Sequence, residues 1–156
     1  EQVNLDVLVR DILDLHQKKI KETKAVVNLE KLPIVDASKT ALRQVFQNII
    51  SNSLKYSQLN NGIIPQISIS SKEFENHWQF EVKDNGIGID YQYFEKIFII
   101  FQRLHDRSEY SGTGIGLAIT KKIIETMEGK IWVESETGRG TSFFFTIPKQ
   151  PQLPVI

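Results

Sequence analysis

The most restrictive feature of this sequence is the order in which helical and strand patterns occur along the chain. Two segments with the apolar period of an amphipathic helix come first, and two segments that alternate with period two follow them. A third helical segment and two further strands complete the order. The strict strand–helix alternation of a doubly wound parallel fold is missing. We therefore predict an α+β fold in which helices stack on one face of a largely antiparallel sheet.

Local signals place the ends of these segments. The first amphipathic helix is predicted from about Leu5 to Lys24, and Pro33 prevents a helix from continuing through the β-branched run that follows. Asp36 or Ser38 is a candidate cap for the second helix. The other predicted elements are the second helix at 39–57, adjacent antiparallel strands at 65–74 and 77–84, a third helix at 115–129 that stops at Gly129, and a strand–turn–strand at 130–148. Residues 1–148 are thus predicted to form one domain, and residues 149–156, with two prolines, a flexible tail.

Composition narrows the function classes. The chain carries 19 basic and 19 acidic residues, so no general nucleic-acid or membrane surface is expected, and any anion site must be local. It contains no cysteine, which excludes disulfides, thiolate zinc sites and cysteine nucleophiles. No apolar run approaches the ~20 residues of a membrane span. The chain begins with Glu1 rather than methionine, and we expect it to be a cytoplasmic piece of a longer protein.

The second helix carries a polar stripe beside its apolar side. Asn48, Asn52, Lys55 and Tyr56 lie at i, i+4, i+7 and i+8. An amide oxygen suits Mg²⁺, a hard ion that takes few ligands from the protein and the rest from phosphates and water. A lysine one turn further on can contact a phosphate oxygen. A solvated helix face explains the same residues, and the helix alone does not separate the two explanations. The apolar side itself comprises Leu42, Phe46, Ile49, Ile50 and Ser53.

The stretch "DNGIGID", residues 84–90, directly follows a predicted strand. Gly86 and Gly88 permit backbone conformations that a Cβ atom forbids. Asp84, as a carboxylate, only accepts hydrogen bonds, which fits the exocyclic amine of adenine and opposes the corresponding carbonyl of guanine. A tight turn in which Asp84 caps its own backbone is the alternative explanation.

A second glycine-rich stretch, "SGTGIGLAI", opens the third predicted helix with Gly112, Gly114 and Gly116. Glycines at a helix N-terminus present bare N–H groups and the positive end of the helix dipole to an anion. The stretch is neither a Walker A loop nor a dinucleotide fingerprint, because it lacks G-K-[ST] and follows a polar loop rather than a strand. A mobile loop needs glycines too, so this stretch alone does not establish a phosphate site.

The order of these motifs is more specific than any one of them. "NIISNSLKYS", "DNGIGI", "FEKIFIIFQRL", "GTGIGLAI" and "GRGTSFFFTIP" follow one another along the chain. The series resembles the ATP-binding catalytic domain of the sensor histidine kinases, in the GHKL superfamily shared with DNA gyrase, the heat-shock 90 chaperones and the MutL repair proteins. The resemblance covers about residues 3–148. It implies a two-layer sandwich with about three helices on one face of a mixed, mostly antiparallel five-stranded sheet, the Bergerat fold.

The resemblance also implies a role for each motif residue. Asn52 would hold Mg²⁺, and Asn48 and Lys55 would lie beside the phosphates of ATP as catalytic residues. Asp84 would bind the adenine amine, with Tyr56 near the base. The other implied ATP contacts are Gly86, Gly88 and Ile89 in the pocket wall, Gly112, Gly114, Gly116 and Leu117 beside the triphosphate, and Thr141 through water on the adenine side.

A mobile lid at about 102–113 is the next implied feature. Phe98 and Phe101 would be the aromatic residues before it, although packing also explains them. Arg103, His105 and Arg107 are candidate γ-phosphate contacts, and solvated loop charges explain them equally well.

The phosphoacceptor histidine of the family is missing from the sequence. His16, His77 and His105 lack its acidic neighbour and helical hairpin. The resemblance therefore implies transfer of the γ-phosphoryl group to a histidine on an upstream dimerisation domain, with a response regulator receiver domain as the later partner in two-component signalling.

Other members of the superfamily provide the alternative functions. Glutamine at position 44 and asparagine at position 48 leave no glutamate base for a gyrase- or chaperone-like ATPase. An ATP-binding regulatory module and an anti-sigma-type serine kinase remain open as alternatives.

Overall fold

The structure is a computed structural model that describes residues 1–99 and 116–149. Its α-helices are α1 (Leu5–Leu15), α2 (Gln17–Thr23), α3 (Lys39–Ser57) and α4 (Gly116–Thr126). Its strands are β1 (Gln2–Asn4), β2 (Val26–Leu29), β3 (Ile34–Asp36), β4 (Gln66–Glu73), β5 (His77–Asp84), β6 (Ile131–Glu136) and β7 (Gly140–Pro148). Two short 3₁₀ helices, Tyr91–Tyr93 and Lys96–Phe98, follow β5. No helix within the described ranges is both long enough and apolar enough to cross a bilayer.

The main sheet has five strands in the order β2-β4-β5-β7-β6. Strand β2 is parallel to β4, and the other neighbouring pairs are antiparallel. The register of β5 and β7 sets Asp84 opposite Thr141. Strands β1 and β3, which the sequence did not predict, form a separate antiparallel pair. The predicted mixed, mostly antiparallel five-stranded sheet is confirmed.

The core lies between one face of this sheet and the helices α1, α3 and α4. Phe46 on α3 makes edge-to-face contacts with Phe80 on β5 at 5.7 Å and with Phe145 on β7 at 5.2 Å between ring centroids. Side chains alternate between the two faces of a strand, so Phe80, Val82 and Asp84 share the face that the helices cover. The alternation thus places the Asp84 carboxylate inside the protein, at the end of β5.

The predicted first helix is wrong in one respect, because it consists of two helices. α1 ends at Leu15 and α2 begins at Gln17, with His16 between them at φ −99°, ψ 11°. No residue of α2 is fully buried. A break of this kind changes the dihedrals of one residue, and no proline or glycine marks it in the sequence. Within the described ranges, the buried side chains of the α-helices come from α1, α3 and α4, and the 3₁₀ helix Lys96–Phe98 adds Ile97, so the helix count is slightly higher than predicted.

Two helix ends differ from the sequence prediction in detail. Ser38 caps α3, since its hydroxyl accepts a hydrogen bond from the Ala41 N–H at 3.2 Å, whereas Asp36 lies in β3. α4 ends at Thr126, and the left-handed residue after it is Glu128 at φ 63° rather than Gly129. Lys149, the first residue of the predicted tail, donates its backbone N–H to the Asn76 carbonyl at 2.9 Å.

Candidate functional site

The loop that follows β5 lies between the end of α3 and the turn that joins β6 to β7. Gly86 lies against α3, where an added Cβ atom would be 2.6 Å from the Tyr56 carbonyl oxygen. Gly88 lies against the turn at φ +76°, and an added Cβ would overlap the Glu136 carbonyl oxygen. Both glycines of "DNGIGID" are therefore required by close backbone approach, and their absent side chains let three segments of the chain meet.

Asp84 is a buried carboxylate in this site, with 4% of its surface exposed. Its Oδ1 accepts a hydrogen bond from the Gly86 N–H at 2.8 Å. This is the contact expected if Asp84 caps the turn that follows it, the alternative explanation given for this residue. A carboxylate has about four lone-pair sites, so this contact leaves capacity for a ligand. Burial raises the pKa of Asp84 to about 6, and the backbone N–H groups of Gly86 and Thr141 together with the nearby Ser53 hydroxyl oppose that rise.

Ser53 contributes a buried polar atom beside Asp84. The residue is 1% exposed, and its hydroxyl has no hydrogen-bond partner of good geometry within the described ranges. It nevertheless lies close enough to the carboxyl group to lower the pKa of Asp84. A buried hydroxyl without a partner costs about 1–3 kcal/mol, so a polar ligand atom or a water molecule at this point would restore that energy.

Two asparagine amides hold the loop after β5 in place. The Asn85 Oδ1 accepts from the Gln66 N–H at 2.8 Å, and its Nδ2 donates to the Ile64 carbonyl at 2.9 Å. The Asn60 Nδ2 lies 2.9 Å from the Asn85 carbonyl oxygen and 3.1 Å from that of Gly86. These contacts attach the loop to the segment that follows α3. From the sequence, both asparagines are visible only as turn residues.

Asn48 connects α3 to the first turn of α4. Its Nδ2 lies 3.1 Å from the Thr120 Oγ1 and 3.3 Å from the Gly116 carbonyl oxygen. The Thr120 hydroxyl, which is buried, donates to the same Gly116 carbonyl at 2.8 Å. Asn48 therefore orients the helix that the second glycine-rich stretch opens.

The rest of the polar stripe on α3 is neither core nor fully exposed. Asn52, Lys55 and Tyr56 are all half-buried. The Lys55 Nζ lies 5.3 Å from the centroid of the Tyr56 ring, a distance at which a cation interacts with the ring face. Among the residues that the structure describes, no three or more His, Cys, Asp and Glu side chains are grouped to hold a metal ion. A metal here would therefore depend on amide oxygens and on the oxygens of a ligand.

Comparison with known proteins gives this arrangement a family. The family described as "Histidine kinase-, DNA gyrase B-, and HSP90-like ATPase" matches residues 37–151. The chain belongs to this family. The predicted resemblance to a histidine kinase catalytic domain is thereby confirmed, and the fold is that of the GHKL superfamily.

Individual members of the GHKL superfamily agree with the assignment. Cyanobacterial phytochrome A of Nostoc sp. is 52% identical over 132 residues, which are 85% of this chain and 17% of that protein. Sensor protein kinase WalK of Staphylococcus aureus is 33% identical over 151 residues, 95% of this chain and 36% of that protein. The catalytic domain of histidine kinase ThkA superposes with a TM-score of 0.81 at 30% identity, covering 97% of this chain and 98% of that domain. ThkA in complex with the response regulator protein TrrA superposes at 0.77 and 29% identity, covering 96% of this chain and 42% of that one.

The structure describes most of the GHKL motif residues that the sequence singled out. Asp84, Gly86, Gly88 and Thr141 come together at the end of β5, and Ile89 and Leu117 pack against the core. Phe98 is half-buried with its ring edge-to-face against Phe143 at 6.4 Å, which is a packing role. The predicted lid at 102–113, with Arg103, His105, Arg107, Gly112 and the nearby Phe101 and Gly114, lies outside the described residues.

Sequence reasoning missed several residues that build this GHKL site. Ser53 was grouped with the apolar side of the second helix, where a lone hydroxyl was the available signal. The sequence indicated Asn60 only as a turn residue and gave no signal for Ser135, because their partners are distant along the chain: Asn60 contacts Gly86, and Ser135 contacts Ile89.

Proposed function

We propose that this domain binds Mg·ATP and positions the γ-phosphoryl group for transfer to a histidine on a separate dimerisation domain of the same parent protein. The single observation that carries the proposal is the buried Asp84 carboxylate with the Ser53 hydroxyl beside it. Within the described ranges, that hydroxyl has no hydrogen-bond partner of good geometry. Family membership and the kinase names of WalK and ThkA support the choice of reaction.

The adenine end of the ligand fits the chemistry of the buried pair. Asp84 is ionised at neutral pH, since its pKa is about 6, and an ionised carboxylate can only accept hydrogen bonds. An amine therefore suits this position and a carbonyl does not. Gly86 leaves room beside the carboxylate that a Cβ atom would fill, as its ideal Cβ would stand 2.8 Å from the Asp84 Oδ1.

The phosphate end depends on α3 and on the start of α4. Asn52 would supply an amide oxygen to Mg²⁺, which takes most of its ligands from phosphate and water. Lys55, one turn further along, would neutralise phosphate charge. Asn48 holds the first turn of α4, so the second glycine-rich stretch would be presented from a positioned helix. Gly112 and Gly114 belong to the proposal on the strength of the sequence alone.

Catalysis in this scheme consists of positioning and charge neutralisation. ATP supplies the transferable phosphoryl group when it is bound. α3 contains no Asp or Glu, so this helix provides no carboxylate base to activate water. We therefore assign transfer to an external nucleophile rather than hydrolysis. A response regulator is the proposed later partner, supported by the ThkA–TrrA complex, and the use of ATP favours a cytoplasmic location.

A reconstitution experiment tests the reaction. Incubated alone with γ-labelled ATP, the chain is expected to show neither stable acid-labile labelling nor brisk hydrolysis, because an acceptor must lie in line within about 3–3.5 Å of the phosphorus and a separate domain must supply it. Adding the upstream helical domain of its own parent as a separate chain should produce acid-labile label on that domain's histidine. The readout is phosphoprotein after electrophoresis, with acid and base treatment to separate phosphohistidine from phosphoserine.

Each result of the reconstitution has a defined meaning. Acid-labile label on His16, His77 or His105 of the chain alone would contradict transfer to a separate domain. The His16 and His77 side chains contact Gln47 and Phe74, respectively. Acid-stable label on a serine of an added protein would replace the histidine kinase with the anti-sigma-type kinase. Binding of ATP without transfer to any acceptor would favour the regulatory module.

The Mg²⁺ assignment gives a second expected result. Asn52→Asp replaces a neutral amide with a carboxylate, so the difference between nucleotide affinities measured with and without Mg²⁺ should change by roughly tenfold. Asn28→Asp is the matched control. Asn28 lies on β2, an edge strand of the main sheet, and its substitution should leave that difference unchanged. Calorimetric titration with ADP measures both. If the Asn52 variant and the natural chain show the same Mg²⁺ dependence, Asn52 does not hold the metal.

A further inference from the structure

Ser135 on β6 makes three contacts with a single hydroxyl group. The Ile89 N–H lies 2.7 Å from its Oγ, in the loop that follows β5. The Gly140 carbonyl oxygen lies 2.7 Å away, and the Thr141 Oγ1 lies 2.9 Å away, both on β7. Ser135 is thus the point at which the β5 loop, β6 and β7 are joined by side-chain hydrogen bonding.

The number of protons in this cluster decides the direction of each bond. A serine hydroxyl has one hydrogen to donate and two lone pairs that accept. The Gly140 carbonyl can only accept, so Ser135 donates its hydrogen there. The Ile89 N–H can only donate, so it occupies one lone pair. The remaining contact is satisfied when Thr141 donates its hydroxyl hydrogen to the second lone pair of Ser135.

This direction fixes what Thr141 can offer to a ligand. Its one hydrogen points to Ser135, so two lone pairs are left to face elsewhere. Thr141 is 6% exposed and stands opposite Asp84 in the register of β5 and β7. Two buried acceptors, the Asp84 carboxylate and the Thr141 hydroxyl, are therefore neighbours in the site.

We propose that Ser135 is a positioning residue for base selection: its Oγ accepts the hydrogen bond that the Thr141 hydroxyl donates, so that Thr141 presents only lone pairs beside Asp84. The proposal rests on the proposed function, because it assumes that this site receives the base of ATP. An amino group on the base donates to such a site, whereas a carbonyl at the same ring position faces lone pairs. Without Ser135, the Thr141 hydroxyl is released to donate and can accommodate a carbonyl.

Inosine diphosphate is the probe, because it carries a carbonyl where adenosine diphosphate carries an amine. The measured ratio is the Kd of inosine diphosphate divided by the Kd of adenosine diphosphate, both determined calorimetrically with Mg²⁺. In Ser135→Ala this ratio should fall by roughly fivefold to tenfold, which corresponds to about one hydrogen bond. Thr141→Val removes the hydroxyl itself and should lower the ratio in the same sense. In the Thr141→Val background, Ser135→Ala should lower the ratio no further, because the residue acts through Thr141.

A purely structural role predicts a different pattern. If Ser135 only holds Ile89 and Gly140 in place, its loss would weaken the binding of both nucleotides equally and leave the Kd ratio unchanged. An unchanged ratio would overturn the proposal. So would additive effects in the double variant. Ser142→Ala is the matched control, since Ser142 neighbours Thr141 but hydrogen-bonds to the Glu81 Oε2 at 2.7 Å, and it should keep the natural ratio.

Failure of the inference can be told apart from failure of the proposed function. If the natural chain binds adenosine diphosphate and Ser135→Ala keeps the ratio, the inference fails and the nucleotide site stands. If the natural chain binds neither nucleotide, the proposed function fails, and the inference fails with it. Should Ser135→Ala not fold, an unchanged ratio in Thr141→Val alone would still overturn the inference.

Discussion

Gly140→Ala is expected to lower the free energy of unfolding by about 2–6 kcal/mol. Gly140 has φ +124°, a backbone conformation that costs an L-residue roughly 1–3 kcal/mol. Its added Cβ would also overlap the Asp84 carbonyl oxygen and stand 2.8 Å from the Asn85 Cα. Both obstacles are backbone atoms that β5 and its loop hold in place, so overlap adds about 1–3 kcal/mol to the strain.

The same turn contains the matched control for this substitution. Gly138 also has a positive φ, +84°, but an added Cβ there would meet nothing within 4 Å. Gly138→Ala should therefore cost only the backbone strain, about 1 kcal/mol. Denaturant unfolding of the natural chain and both variants measures the two losses. Equal losses would show that the contact between Gly140 and the end of β5 is not what requires the glycine.

Asp84→Asn is expected to weaken adenosine diphosphate binding by about 1–3 kcal/mol, roughly a 5- to 150-fold rise in Kd. The substitution replaces a buried carboxylate, whose oxygens can only accept, with an amide. If the amide NH₂ takes the position that would face the adenine amine, two donors would then meet. Asp90→Asn, in the same loop, is the control, because the Asp90 carboxylate is exposed and contacts the Gln92 N–H at 3.1 Å. Affinity that is the same in Asp84→Asn and in the natural chain would exclude Asp84 as the adenine contact.

Relative to the natural chain, Asp84→Asn should gain stability as the pH rises towards neutral. Burial raises the pKa of Asp84 from 3.8 to about 6, so the folded state binds a proton more tightly than the unfolded state. The contribution of this group to stability is fully present below pH 3.8 and is lost as the pH rises through 6. Two pKa units correspond to about 3 kcal/mol.

Unfolding measurements at several pH values test this. The free energy of unfolding of Asp84→Asn, minus that of the natural chain, should increase by about 2–3 kcal/mol between pH 4 and pH 7.5. Subtracting the two proteins removes the titration of the other carboxylates, which they share. A constant difference across this range would mean that Asp84 is not strained by its burial. The expected result is a carboxylate that weakens the fold at neutral pH and strengthens ligand binding.

Several features of the site follow from residue types and local spacing. The period-two alternation of residues 65–74 and 77–84 predicted β4 and β5 and placed Asp84 at the end of a strand. The helical period of 39–57 predicted α3 with its half-buried polar stripe. These patterns are local, since alternation and helical period report which face of an element is buried, and burial dominates the energy of folding. The acceptor-only character of Asp84 belongs to the side chain itself.

Other features depend on residues that are far apart in the chain. The Asn48–Thr120 contact joins positions 72 residues apart, and the Asn60 contact with Gly86 joins positions 26 apart. The break at His16 has no proline or glycine to mark it in the sequence. A change in the dihedrals of that one residue is enough to end α1.

The sequence by itself determined the fold class, the family and the chemical nature of the acceptor at position 84. Only the tertiary structure decided that Asp84 is buried deeply enough to reach a pKa of about 6, and that Gly140 must lack a side chain because the end of β5 occupies its place. It also decided the direction of the Thr141 hydrogen bond, since folding places the Ser135 hydroxyl between the Gly140 carbonyl, which can only accept, and the Ile89 N–H, which can only donate, and Thr141 then donates to Ser135. The physical reason is common to all three. Desolvation, steric overlap and hydrogen-bond direction depend on which groups folding brings within a few ångströms, and spacing along the chain does not contain that information.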